Sequence, residues 1–205
     1  MTDDHLTLIS WRRQVTELHA AVRAEPDPVA GHALWRAVRD SLFREHPQSP
    51  LLPEDPLRCT GLPYWPYDPA LRFTVALEQV DEPAELAMPT STDGVVRLHR
   101  IGRVRLPAPT DATLDVWWLA QYGGGIFVPV RDGTAGADTY GGGRYLLDTA
   151  KGADLGGTDT HLVLDLNFAY HPSCRYNPRW ECPLAPAGNR IAAPITAGER
   201  LTAVG

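Results

Sequence analysis

Lysine is all but missing: Lys151 is the only one in 205 residues, and every other basic side chain is arginine. With Ala, Gly, Pro and Arg all abundant, that scarcity fits a coding bias towards G and C. There is no basic excess either. The formal net charge of −6 argues against nucleic acid as a partner, because phosphate binding needs a basic face. Arg97, Arg100, Arg103 and Arg105 do cluster in "VVRLHRIGRVRL" (95–106). On an unbroken strand Arg97, Arg103 and Arg105 share one face, expected to be a solvated face rather than a phosphate track. No run approaches the ~18 consecutive apolar residues of a membrane span, so no membrane partner is expected. The opening "MTDDHLTLIS" lacks the basic flank and apolar core of a secretory signal, which points to a cytoplasmic protein. Cysteine is sparse and odd in number, with only Cys59, Cys174 and Cys182, so a secreted disulfide framework is excluded.

What is present suffices for a core. A chain of this length buries roughly 70% of its unfolded surface and needs neither metal nor disulfide to fold. Leu8, Trp11, Val15, Leu18 and Val22 recur in steps of three and four, the mark of an amphipathic helix. "EPDP" (25–28) ends it, and Asp27-Pro28 caps and begins a second helix carrying Leu34, Trp35, Val38 and Leu42. Four prolines in "HPQSPLLPEDP" stop that helix. Both stripes are expected to pack on the body of the protein. From residue 60 the period shortens. "RFTVALEQV", "GVVRLHRIGRVRL", "ATLDVWWLAQY", "GIFVPVRD", "RYLLD" and "HLVLDLN" read as short strands between Gly, Pro, Asp and Thr clusters. The glycines of "QYGGGIF" (121–127) supply positive φ for a tight connection, and Pro129 marks an edge or a bulge. The expected fold is mainly β (α+β), an antiparallel β-sandwich or barrel-like sheet with an N-terminal helical hairpin. One domain spans 1–205, with the hairpin at 1–46 and the β-rich body at 60–205.

Two stretches carry the polar chemistry. "DTYGGGRYLLD" (138–148) lacks the spacing of a phosphate loop, so its glycines are expected to let the backbone pass close to another backbone or a ligand. Arg144 leaves that turn, either to pair with a local carboxylate such as Asp132 or Asp138 or to grip an anionic ligand. In "DLNFAYHPSC", a strand over 161–167 puts Asp165 and Asn167 on the face opposite Leu162, Leu164 and Leu166. They either hydrogen-bond loop backbone, as Asx residues commonly do, or anchor a pocket together with Tyr140, Arg144 and Tyr170.

"FVPVRDGTAGADTYGGGRYL", "DLNFAYHPSCRYNP", "CPLAP", "GNRI" and "ITAGERL" resemble the bacterial and archaeal domain-of-unknown-function family 1684. The likeness is specific over roughly 126–201. It implies that Thr139, Tyr140, Arg144, Tyr145, Asp165, Asn167, Tyr170, Cys174, Cys182, Asn189 and Glu199 fall on family motif positions. Leu166 stands where the family usually has Phe, and His171 where it usually has Asn. The resemblance brings a neighbourhood and no activity.

His171, Cys174 and Cys182 form H-x2-C-x7-C, but no second pair completes a metal set, so no metal and no cofactor is expected. The two thiols are expected to be reduced neighbours. A disulfide across "RYNPRWE" is feasible in geometry and disfavoured in a cytosol. The leading functional reading is a pocket near Arg144 and Asp165 that binds a small polar or anionic molecule. In it Arg144 meets the negative group, Tyr140 and Tyr170 form walls, and Asp165 and Asn167 orient. Glu199 and Asp165 are the acid–base candidates if a reaction occurs, and the sequence leaves open whether one does. One alternative is a non-catalytic module whose motif residues only stabilise loops. Another is a metal- or thiol-dependent enzyme using His171, Cys174 and Cys182. Oligomeric state is not legible.

Overall fold

The computed structural model describes residues 2–89 and 95–202. Helices α1 (Thr2–Ala24) and α2 (Pro28–Glu45) form the hairpin, and the Asp27 carboxylate caps α2 by accepting from Val29 N–H at 3.0 Å. A short helix α3 (Leu57–Thr60) precedes, among the described residues, seven strands: β1 (Arg72–Ala76), β2 (Glu85–Pro89), β3 (Val95–Leu106), β4 (Ala112–Leu119), β5 (Ile126–Val130), β6 (Arg144–Asp148) and β7 (His161–Asp165). Strands β2-β3-β4-β5-β6 make an antiparallel sheet in chain order, and β1 pairs antiparallel with β7. The two sheets are tied by reciprocal backbone bonds between Glu78 and Arg103 at 2.8 Å. At the other end Tyr145 of β6 exchanges bonds with Tyr170, just beyond β7. These bridges curl the strands towards a barrel. The α+β, β-rich architecture with an N-terminal helical pair is therefore the one expected. Among the described residues no helix is long and apolar enough to cross a membrane.

Local chemistry explains most of the details. Pro129 does not sit on an edge, because β5 is flanked by β4 and β6. It sits at a bulge, where the register with β6 shifts between Val128 and Pro129. Gly143 has φ +94°, and a Cβ there would come within 2.6 Å of the Val130 carbonyl oxygen, so the "GGG" turn does let two backbones pass close together. Strand β2 is not announced by the sequence pattern. Three of the arginines of β3 meet carboxylates: Arg103 and Arg100 reach Asp115 at 2.8 and 3.4 Å, and Arg105 reaches Glu78 at 3.1 Å.

The hairpin packs on the β body, but the buried stripe of α2 is not quite the expected one. Leu34 is exposed, whereas Gly31, His32, Trp35, Arg39, Leu42 and Phe43 face inward. Trp11 of α1 packs its ring 5.8 Å from Phe43, and Trp35 lies 5.1 Å from Phe168. His32 donates from Nε2 to the Asn167 carbonyl at 2.9 Å, which docks α2 directly on the turn after β7.

Burial lowers the pKa of His32 to about 4, and it also lowers those of His19 and His171. Unfolded histidines take up protons near pH 6.5 and these buried ones do not, so the unfolded chain binds more protons as pH falls. Stability is thus fully present above about pH 6.5 and declines towards pH 4, with His32 contributing up to about 3 kcal/mol of the loss. Urea unfolding at a series of pH values should show this decline, and His32→Gln should flatten it. A pH profile identical in the variant would refute the assignment to His32.

Candidate functional site

The expected site residues divide into separate clusters. Arg144 is 1% exposed and does not line the cavity between the hairpin and the β body. Its Nη2 pairs with Asp132 Oδ2 at 2.7 Å and donates to Ile195 O at 3.1 Å. Its Nη1 donates to Glu199 O at 3.0 Å and to Ala197 O. Asp132 Oδ1 in turn accepts from Thr134 N, Thr134 Oγ1 and Ile195 N. Burial would raise the Asp132 carboxyl, but the Arg144 charge and these donors more than offset it and hold it low. Arg144 therefore pairs with a local carboxylate and gathers the carbonyls of the "ITAGE" segment around itself. Asp165 is not among the partners of Arg144, so the pocket expected near Arg144 and Asp165 does not join the two.

Asp165 and Asn167 form a second cluster. The strand expected over 161–167 ends at Asp165, because the Asp165 carboxylate caps a turn over Leu166–Phe168 by accepting from Asn167 N–H at 3.0 Å. The same carboxylate accepts from Asn167 Nδ2 at 2.8 Å and Tyr67 Oη at 3.0 Å, with Arg72 Nη1 at 3.4 Å. Asn167 both accepts from Asp68 N–H and donates to Asp68 O, each at 2.8 Å. Both side chains are fully buried. They staple the turn to the 67–68 loop, the loop-backbone role that Asx residues commonly fill. Asn189 does the same elsewhere, accepting from Trp117 Nε1 at 2.8 Å and donating to Asp115 O and Pro129 O.

Glu199 belongs to a third cluster, between hairpin and body. Its Oε2 accepts from Arg39 Nη2 at 2.8 Å and from His171 N–H at 3.0 Å, and its Oε1 lies 3.3 Å from His171 Nδ1. Burial would lift this carboxyl, but Arg39 and then His171 outweigh it and keep the pKa below the usual value. The other ring nitrogen of His171 accepts from Tyr140 N–H at 3.2 Å, so Nδ1 carries the proton and the ring is neutral. With both nitrogens engaged, His171 cannot join the two sulfurs as a ligand. Among the described residues no group of three His, Cys, Asp or Glu side chains is disposed to hold a metal.

Above this cluster lies a cavity of about 100 Å³ between the hairpin and the β body. Trp11, Val15, Leu18, Trp35, Leu42 and Phe43 supply an apolar wall from the helices. Arg39, His171, Tyr170, Asp148 and Lys151 supply the polar side, and Cys182 and Ser173 also line it. Arg39 is 7% exposed, stacks over the Tyr170 ring at 5.1 Å, and has no hydrogen-bond partner for Nη1 among the described residues. Asp148 is 2% exposed, and Oδ1 has no partner while Oδ2 meets the half-exposed Lys151 at 3.5 Å. Of the five expected ligand residues, only Tyr170 lines this cavity. Tyr140 sits beside Cys174 instead, and Glu199 reaches the cavity through Arg39 and His171.

Arg39 was not among the expected residues, yet its position carries a signal. It lies four residues after Trp35 and three before Leu42, which places a cation on the apolar face of a helix. A charge on that face must find a buried partner or a ligand.

A family model described as a protein of unknown function (DUF1684) matches residues 58–200. The chain belongs to the DUF1684 family. Within that match fall Arg144, Asp165, Asn167, Asn189 and Glu199, while α1 and α2 lie outside it. The cavity thus has one wall in the matched DUF1684 region and one in the hairpin. A solved structure is also similar: the solution NMR structure of the uncharacterized protein from gene locus rrnAC0354 of Haloarcula marismortui. It is 33% identical with a TM-score of 0.58, over 83% of this chain and 92% of that one. No curated protein matches.

Proposed function

We propose that the protein binds a small amphipathic molecule in the cavity between its helical hairpin and its β body. The observation that carries this reading is Arg39, a residue lining the cavity whose Nη1 is sealed from solvent and without a hydrogen-bond partner among the described residues. Buried donors are almost always satisfied, so an orphaned one beside open space points to a missing acceptor. A carboxylate or carbonyl suits it, since guanidinium groups favour such oxygens. An engineered apolar cavity of about 150 Å³ holds benzene, so a cavity of about 100 Å³ takes a smaller inserted group such as a branched alkyl chain. This keeps the class expected from the sequence, a small polar or anionic ligand, and moves its counter-charge from Arg144 to Arg39. Binding requires no reaction, and no residue here is assigned a catalytic step.

Ligand-observed NMR with isovalerate, and with isoamylamine as a probe of like skeleton lacking an acceptor, tests the reading. Isovalerate should bind saturably and the amine should not. Val15→Trp, which fills the cavity from a half-buried helical position, should abolish isovalerate binding while the fold is retained. No saturable binding of isovalerate, or equal binding of the amine, would overturn the proposal.

A further inference from the structure

Cys182 lines the cavity, and Cys174 lies in the turn Ser173–Arg175. The Cys174 N–H donates to Cys182 Sγ across 3.4 Å. The Cys182 sulfur therefore rests against the backbone of Cys174, within reach of a side chain only one carbon long. Both thiols are free and partly exposed, and the Tyr140 hydroxyl lies 4.0 Å from the Cys174 sulfur. The Cys182 thiol is held below its usual pKa, first by a hydrogen bond from the Cys174 thiol, then, against the cost of burial, by the Cys174 N–H and the Lys151 charge. A thiolate is the nucleophilic form of cysteine, and this one has a second thiol poised beside it.

We propose that Cys182 and Cys174 form a reversible oxidation site for hydroperoxides, with Cys182 attacking and Cys174 resolving. The Cys182 thiolate attacks the distal peroxide oxygen. The O–O bond breaks, the leaving alkoxide or hydroxide takes a proton from water, and Cys182 is left as a sulfenic acid. The Cys174 sulfur, having lost its proton to solvent, then attacks Cys182 sulfur. The S–O bond breaks, hydroxide leaves as water, and the S–S bond forms. Two thiols give up two electrons and two protons, and the peroxide becomes one alcohol (or water) and one water. A dithiol reductant reverses the change by exchange. This site stands whether or not the neighbouring cavity holds a ligand.

The test uses the full chain carrying Cys59→Ser, which removes the exposed third thiol. After stoichiometric hydrogen peroxide, intact mass should fall by two hydrogens, both thiols should resist maleimide, and the protein should stay monomeric with respect to disulfides. With Cys174→Ser added, oxidation should stop at a sulfenic acid on Cys182 that dimedone traps. With Cys182→Ser added, the remaining Cys174 should oxidise at least ~10-fold more slowly, because it lacks the thiolate character of its neighbour. Two persisting thiols, a disulfide formed only between chains, or undiminished oxidation of Cys174 in the Cys182→Ser protein would each overturn the proposal.

Discussion

Replacing Arg144 with methionine is expected to destabilise the protein by about 3–5 kcal/mol, because Asp132 is left as a buried carboxylate without its partner. At roughly 2–4 °C per kcal/mol for a chain of this size, the melting temperature should fall by about 6–20 °C. The loss comes from two sources. The Asp132–Arg144 pair is almost wholly buried, and the same guanidinium collects the carbonyls of Ile195, Ala197 and Glu199. The Arg144→Met/Asp132→Leu double variant should lose less than the sum of its single variants, since neither charge is then stranded. Thermal unfolding of the three variants checks this. A stable Arg144→Met protein would mean that the arginine does not hold the "ITAGE" segment in place.

Glu199→Gln is expected to cost about 3 kcal/mol, because it leaves the buried Arg39 guanidinium without a counter-charge. The damage should be directional. Glu199 is the link between α2, through Arg39, and the 170–171 segment, through His171. Hydrogen exchange should therefore quicken in α1 and α2 before it quickens in β3 to β6. Uniform loss of protection across hairpin and sheet would argue that Glu199 supports the core generally rather than the docking of the hairpin.

The periodic features of the fold were open to reading because each rests on local physics. The Asp27-Pro28 cap, the glycines beside Val130 and the bulge at Pro129 are all written in short stretches of chain. Strand β2 was not, since "ELAMP" is brief, ends in proline and is held by pairing with β3 rather than by its own pattern. The site was less legible. Arg144, Asp165 and Asn167 look like ligand residues because they are polar and set in glycine-rich or turn sequence. The same features serve a backbone that needs internal donors and acceptors once it is buried. Which role applies depends on partners 12 to 99 residues away, such as Asp132 for Arg144 and Asp68 for Asn167. Arg39 shows the reverse error. It looks like an ordinary helical arginine until its register against Trp35 and Leu42 puts it on the inward face, where Glu199, 160 residues on, meets Nη2 while Nη1 has no partner among the described residues.

The most direct measurement is to follow the arginine side-chain resonances by NMR while isovalerate is added. The account predicts that the Arg39 guanidinium and the Trp35 indole shift saturably and together, while the Arg144 guanidinium does not move. A saturable shift at Arg144 with none at Arg39 would place the ligand at the wrong arginine and contradict the account.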